Sequence, residues 1–431
     1  MNKVIAGLFA AALVSAPYVM ADVGAGKPAA KELSKVVEEG PYVETAQKGI
    51  TLSGYVDAGY QYNFTSSGGA DAMIHDPGTG NGFKPGTDSQ RRGEFGLNAV
   101  KLALEKPLTD ANELQAGFRV DLMLGQDVKS VGATTAAATE DMSDSLFVEQ
   151  AYVQFRLPYG NGIDFKVGKF VSLLGYEVIE RPANLNISYG NLFENMGPRT
   201  HIGVLSAYKF NDTVDAKFGV VEGWNNGVGA DNNLGGSTNN VQDGAGLTGA
   251  VNVTAPGGNA NIQNAFYYGI NNQNNILGVT NDENGDVFVW DMWGNWVPKF
   301  ANDKLLLGFN TAFGVGTSGI TGGTPAPYTH SNWWGAALYA KYQFTDIFSL
   351  AGRADYIHND DSNKFGNDPQ TGTSANEDIY SWTLTAGFDV IENMMLRAEY
   401  RVDIGDNIEA SGVSRSSGPA HQATVQVVYS F

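Results

Sequence analysis

From Ile50 to Phe64 the chain alternates, with Ile50, Leu52, Gly54, Val56, Ala58, Tyr60, Tyr62 and Phe64 on one side and Thr51, Ser53, Asp57, Gln61 and Asn63 on the other. A strand sends successive side chains to opposite faces, so this period reads as a strand with one apolar and one polar face. The run is about fifteen residues long, against about 5 to 6 for a strand of a soluble sheet and about 9 to 11 for a tilted strand crossing a bilayer.

The pattern recurs. Leu114, Ala116, Phe118, Val120, Leu122 and Leu124 share one face, as do Tyr380, Trp382, Leu384, Ala386, Phe388 and Val390, and Met394, Leu396, Ala398, Tyr400, Val402 and Ile404. The opposite faces carry charge: Arg119 and Asp121 in the first of these, Arg397, Glu399, Arg401 and Asp403 in the last. A Lys or Arg facing lipid costs about 2–4 kcal/mol at the midplane, so one-sided sorting predicts lipid outside and water inside.

About sixteen such segments can be marked between residue 50 and residue 431. Their connections alternate in length. Segments 106–112, 158–162, 211–213, 256–259, 298–303, 345–346 and 391–393 are short, whereas 65–93, 125–145, 170–199, 225–245, 271–285, 316–332, 359–378 and 406–418 are long and rich in Gly, Asn, Asp and Ser. An even count with both chain ends on the short-turn side predicts an all-β fold, a transmembrane antiparallel β-barrel of about 16 strands with short periplasmic turns and long extracellular loops. Trp290, Trp296, Trp334, Trp382, Tyr342, Phe344, Tyr429 and Phe431 fall on the apolar faces, several near strand ends, where interface girdles form. A soluble β-sandwich or β-helix is the competing reading, and strand length and loop asymmetry count against it.

The first residues place the chain outside the cytoplasm. MNKVIAGLFAAALVSAPYVMA has a positive charge at Lys3, an apolar run from Val4 to Val14, and Val19 and Ala21 at small-residue cleavage positions. This reads as a signal peptide, residues 1–21, cleaved after Ala21. No later apolar run reaches the roughly 18 residues of a spanning helix. Residues 22–48 form a short periplasmic segment in which Leu33, Val36 and Val37 share a helical face; residues 49–431 are the barrel.

Several functions are excluded or unsupported. Cysteine is absent, which removes disulfides, thiolate metal sites and cysteine nucleophiles. The net charge of −19 argues against nucleic acid as a partner. His75, His201, His330, His358 and His421 show no HExxH spacing, and there is no GxSxG elbow, so nothing supports an enzyme. Asp282, Asn284 and Asp286 are spaced as in a calcium loop, but the glycine comes early and Trp293 stands where a bidentate Glu belongs. No metal and no cofactor is expected.

The ending QATVQVVYSF, with a terminal Phe431, resembles the closing strand of bacterial outer-membrane proteins. The stretch from Val167 to Val204 resembles the hallmark region of the β-barrel porins described as OmpL-like, through Gly168, Lys169, Phe170, Gly175, Tyr176, Glu177, Asn184, Ser188, Gly197, Pro198, His201 and Gly203. The resemblance implies a pore of the bacterial outer membrane, embedded in its lipid and passing small hydrophilic solutes or ions by diffusion. A homotrimer is an assembly common among porins, though no patch marks one here. It supplies no ligand or catalytic residues. A surface receptor or adhesin using the long loops, and an outer-membrane enzyme, are the alternatives.

Segment 170–199 is the third long loop, which in general porins folds inward and narrows an otherwise wide lumen. Pro182, Pro198, Leu173, Val178, Ile179, Leu185 and Phe193 are suited to hold it. The expected constriction comprises Glu177, Glu180, Arg181 and Arg199, with Glu177 and Glu180 as an acidic lip facing water and wall bases such as Lys101, Arg119, Arg397 and Arg401. The alternative is that Glu180 and Arg181 merely pin the loop. The expected pore wall balances Lys101, Arg119, Arg353, Arg397 and Arg401 against Asp121, Asp355, Glu399 and Asp403, with Arg156, Lys166, Lys217 and Lys341 and Glu113, Asp164, Asp215, Asp291 and Asp389 beyond them. Excess acid then falls in loops, at Glu140, Asp141, Asp144, Asp282, Glu283 and Asp286, which predicts a weak cation preference at the mouth.

Overall fold

The computed structural model describes residues 49–64, 93–131, 146–223, 245–270, 286–321, 324–360, 377–405 and 419–431. The alternating segments are strands: β1 (Thr51–Asn63), β2 (Gly93–Lys106), β3 (Gln115–Leu124), β4 (Phe147–Leu157), β5 (Ile163–Val171), β6 (Thr200–Lys209), β7 (Val214–Glu222) and β8 (Ala245–Thr254). They continue as β9 (Ala260–Gly269), β10 (Val287–Trp296), β11 (Leu305–Thr321), β12 (Thr324–Gln343), β13 (Phe348–Asp360), β14 (Glu377–Ile391), β15 (Met394–Gly405) and β16 (Ala420–Ser430). Each pairs antiparallel with its neighbours in sequence, and β1 pairs with β16, so the sheet closes on itself without an edge. Closure is sealed by Gly54, whose N–H donates to the Phe431 carbonyl at 3.0 Å, and by the Phe431 N–H, which donates to the Gly54 carbonyl at 2.9 Å.

The two faces sort as the period predicts. Along β3, Gly117, Arg119, Asp121 and Met123 are buried and the residues between them are not. The outer face carries Leu52, Val56, Leu97, Val153, Val167, Phe218, Val220 and Leu384, all exposed apolar side chains that a bilayer would cover. Trp296, Trp334, Trp382, Tyr342, Phe344, Tyr429 and Phe431 are on this outer face, and Trp290 is partly exposed there. Among the described residues no helix is long and apolar enough to cross a membrane.

Three details differ from the sequence reading. Segment 316–332 is no loop: β11 runs to Thr321 and β12 starts at Thr324, with Thr321 paired to Thr324. Its glycines obscured the β-branched Val315, Thr317, Ile320, Thr321 and Thr324, which favour extended backbone. Glu113 stands exposed in the turn before β3 and is not part of the wall. In β4 the pairing shifts between Asp121 and Leu122, which face Gln150 and Val148, so Glu149 is the extra residue of a bulge. Glu149 and its neighbour Gln150 are therefore both buried on the inner side.

Beyond β3 a short helix, α1 (Asp127–Val131), packs Val128 and Val131 into the core. The signal peptide, residues 22–48, and His75, Glu140, Asp141, Asp144, Asp282 and Glu283 lie outside the described residues.

Candidate functional site

After Val171 the chain leaves the wall, and the Ser172 N–H donates to the Arg199 carbonyl at 2.8 Å, closing the neck of a loop that rejoins the wall at Thr200. The loop enters the barrel, because its apolar residues Leu173, Ile179, Ile187, Leu192 and Met196 are buried and its partners lie on strands far from β5 and β6. A one-turn helix, α2 (Asn191–Asn195), forms its returning half.

The descending half is held by amides and one aromatic ring. Gln263 on β9 donates to the Leu173 carbonyl at 2.8 Å, and the Gly175 N–H donates to Asp291 on β10 at 3.0 Å. Gly175 has φ +94°, a conformation that glycine adopts without penalty. Tyr176 then donates through its hydroxyl to Asn295 at 2.7 Å, stacks on Tyr339 with ring centroids 4.2 Å apart, and lies over Gly308.

The middle of the loop is fastened by the charged wall of β13 and β15. Glu177 meets Arg353 at 2.6 Å with the two side chains 3% and 0% exposed, and its other oxygen accepts the Gly190 N–H at 2.5 Å. Burial pushes the Glu177 carboxyl above its ordinary value, although Arg353 opposes the shift. Arg353 also donates to the Ser188 carbonyl at 2.6 Å and pairs with Asp355 at 2.8 Å. Arg401 donates to the Tyr189 carbonyl at 2.6 Å and pairs with Asp403 at 2.9 Å. Arg397 donates to the carbonyls of Asn184 at 2.7 Å and Arg181 at 2.8 Å, while Glu399 accepts the N–H groups of Ile187 at 2.5 Å and Ser188 at 2.9 Å. Glu177 accordingly faces a wall arginine and not water, and Arg397 and Arg401 bind loop carbonyls instead of standing across a gap from acids. The physical reason is desolvation: the loop's unpaired backbone groups need partners inside the barrel, and the wall charges supply them.

Glu180 is placed differently. It forms an ion pair with Lys101 on β2, and Lys101 also meets Glu149 at 2.9 Å and Asp121 at 3.3 Å. The oxygens of these three carboxylates lie within 4.8 Å of one another, spacing that suits a cation, and the Lys101 ammonium already occupies that role. Burial acts to raise the Glu180 carboxyl, but the Lys101 ammonium outweighs it and holds it below its usual value. Arg119 pairs with Asp121 at 2.9 Å and with Glu105 at 3.1 Å. Arg181 turns to the other side, meeting Asp127 of α1 at 2.8 Å and lying over the Tyr189 ring at 4.2 Å. Arg199 pairs with Glu194 at 2.7 Å and lies over Phe193 at 5.1 Å.

The fastened loop does not fill the barrel. A cavity of about 380 Å³ lies between the loop and the barrel wall, lined on β2–β4 by Lys101, Glu105, Arg119 and Gln150, on β10 and β11 by Val289, Asp291, Asn310 and Ala312, and on the loop by Leu174, Val178, Glu180, Pro182, Ala183, Phe193 and Arg199. Ser53, Gly54, Ser430 and Phe431 line its end at the short-turn rim. Of the residues expected from sequence, Lys101, Arg119, Glu180, Arg199 and Asp291 line this cavity, and Glu177 borders it with its side chain only 3% exposed, whereas Arg353, Asp355, Arg397, Glu399, Arg401 and Asp403 are held against the loop. Glu149, Glu105 and Asp127 had not been singled out. For Glu149 a signal existed: two adjacent polar residues, Glu149 and Gln150, interrupt the alternation of β4 as a bulge would.

A barrel of this closure with an inturned third loop is the form of a diffusion pore, and residues 49–431 match the model of a family described as putative beta-barrel porin-2, OmpL-like. The chain belongs to this porin family. Among solved structures, the porin resembles the outer membrane channel DcaP of Acinetobacter baumannii with 14% identity and a TM-score of 0.56, covering 89% of this chain and 97% of that one. It also resembles an anion-selective porin from Comamonas acidovorans with 11% identity and a TM-score of 0.57, over 89% and 99% of the two chains. Pseudomonas putida OprB matches with 13% identity and a TM-score of 0.57, over 93% and 97%. At these identities the likeness concerns the fold. A comparison with curated protein sequences found no significant match.

Proposed function

We propose that this porin is a passive diffusion channel of the bacterial outer membrane whose third loop is a fixed constriction, not a gate. One observation carries the reading: the loop is tied to the wall of β9–β15 by buried bonds, yet leaves a cavity of about 380 Å³ between itself and the wall of β1–β4, β10 and β11. Charges of both signs line that side, with Glu180 and Lys101, and Glu105 and Arg119, paired at its surface. Paired charges give a weak field, so ion selectivity is modest and Glu180 contributes to it. Residues 1–21 act as the export signal and residues 22–48 as a periplasmic segment. A homotrimer is the proposed assembly, supported by the shared fold with OmpT of Vibrio cholerae, which is described in a trimer form and matches with 12% identity and a TM-score of 0.51 over 89% of this chain and 99% of that one.

Planar-bilayer recording of the purified protein tests the channel. Stepwise potassium chloride conductance is expected, with a reversal potential under a salt gradient that moves when Glu180→Gln is introduced. A folded barrel that conducts no current would instead favour a receptor or adhesin that uses the barrel as an anchor.

A further inference from the structure

The passage has two unlike sides. Its loop side presents Leu174, Val178, Pro182, Ala183 and Phe193, all partly exposed, beside the charged Glu180 and Arg199. Phe193 is itself braced, stacked on Tyr189 with ring centroids 4.4 Å apart. Opposite charges lie close together across the two sides: Glu105 with its side chain 29% exposed and Arg119 with 11%, 3.1 Å apart on the wall, and Glu180 of the loop with 22%, paired to Lys101 of the wall.

Such a lining is unlike an eyelet made only of charge. A hydrated inorganic ion or a sugar finds no partner for its polar groups along the apolar side. A single-sign organic ion meets a like charge beside every opposite one, because Glu105 stands next to Arg119 and Glu180 next to Lys101. A solute with an ammonium and a carboxylate on one edge and an apolar group on the other meets a complement for each part. Cavities of roughly 300–1,000 Å³, mostly apolar with a few placed polar groups, are the common form of small-molecule sites, and about 380 Å³ falls in that range.

We infer that the passage is a selective site for small amphipathic zwitterions, the chemistry of a free α-amino acid with an aromatic or branched aliphatic side chain. The apolar group lies against Leu174, Val178 and Phe193, the ammonium turns to Glu105 and Glu180, and the carboxylate turns to Arg119. The inference rests on the channel reading above and specifies its solute.

Proteoliposomes containing the full mature protein provide the test, with swelling rates measured for L-phenylalanine, glucose of similar size, phenylacetate and phenethylamine. L-phenylalanine is expected to enter several-fold faster than glucose and faster than either single-sign analogue. Phe193→Ser and Leu174→Ser should each bring the phenylalanine-to-glucose ratio toward one. Equal rates for phenylalanine and glucose in the native channel, a finding that needs no variant, would overturn the inference, as would a ratio unmoved by both substitutions. Faster entry of phenylacetate or phenethylamine than of phenylalanine would overturn the zwitterion and leave a single-sign amphiphile. If potassium chloride conductance is absent, the channel reading falls and this one with it; if it is present without solute preference, only this one falls.

Discussion

Glu177 on the inturned loop and Arg353 on β13 face each other at 2.6 Å, both buried, and Arg353 reaches on to the Ser188 carbonyl. The pair joins two turns of the loop to one point of the wall. Removing Arg353 alone leaves a buried carboxylate without its partner, which costs about 3–5 kcal/mol. Arg353→Met should therefore lower the temperature at which the folded barrel loses its heat-modifiable mobility on a gel, and raise single-channel conductance as the loop loosens. The double variant Glu177→Gln, Arg353→Met should recover part of the stability. Native melting and conductance in the single variant would show that the pair does not hold the loop.

Lys101 pairs with three carboxylates, those of Asp121, Glu149 and Glu180. Lys101→Met should shift the reversal potential under a salt gradient in the cation-selective direction, with the permeability ratio changing several-fold. Glu180→Gln should shift it the opposite way, because it removes one negative charge where Lys101→Met removes one positive charge. Shifts of the same sign in the two variants would refute the assignment.

Asp127 lies in α1, outside the membrane-spanning strands, and burial raises its carboxyl to about 7 from an ordinary 3.8, although Arg181 acts against the shift. The folded chain then keeps a proton that the unfolded chain has already released between those values. Stability from this group is present at low pH and is lost as pH rises through the window from about 4 to about 7. Thermal denaturation followed across that window should show the decline, and Asp127→Asn should flatten it. A slope unchanged in Asp127→Asn would assign the dependence to other groups.

Gly308 on β11 forms the seat of the Tyr176 ring, where an added Cβ would stand 2.6 Å from the tyrosine oxygen. Overpacking of such a contact costs about 1–3 kcal/mol. Gly308→Val should displace Tyr176 from Tyr339 and Asn295, free the descending half of the loop and increase conductance, with Gly308→Ala intermediate. Unaltered current in Gly308→Val would mean that the ring is not an anchor.

The barrel was legible because lipid and water impose a rule on every second residue: Val120 and Leu122 must differ from Arg119 and Asp121 whatever they later touch. The inward third loop was legible from the count of long connections, and the Glu180–Lys101 pairing was among those expected. The partner of Glu177 was not. At the level of the loop several bases face the lumen, and Arg353, Arg397 and Arg401 were equivalent in sequence; which of them takes a carboxylate and which takes carbonyls depends on where the loop backbone leaves unpaired groups. Glu149 was hidden by a one-residue bulge that reverses the sense of the period, and the extension of β11 and β12 by a glycine content that resembles loop.

The seam between β1 and β16 brings together residues as distant as Asp57 and Gln426, which bond at 2.6 Å across 369 positions of chain. Until the final strand arrives, the partly made wall has two open rims whose amide groups no hydrocarbon can satisfy. Closure is consequently all-or-none: β1 and β16 each lack a second neighbour until they meet each other. A change at Phe431, whose backbone exchanges two hydrogen bonds with Gly54, therefore loosens the one junction on which every other strand's enclosure depends.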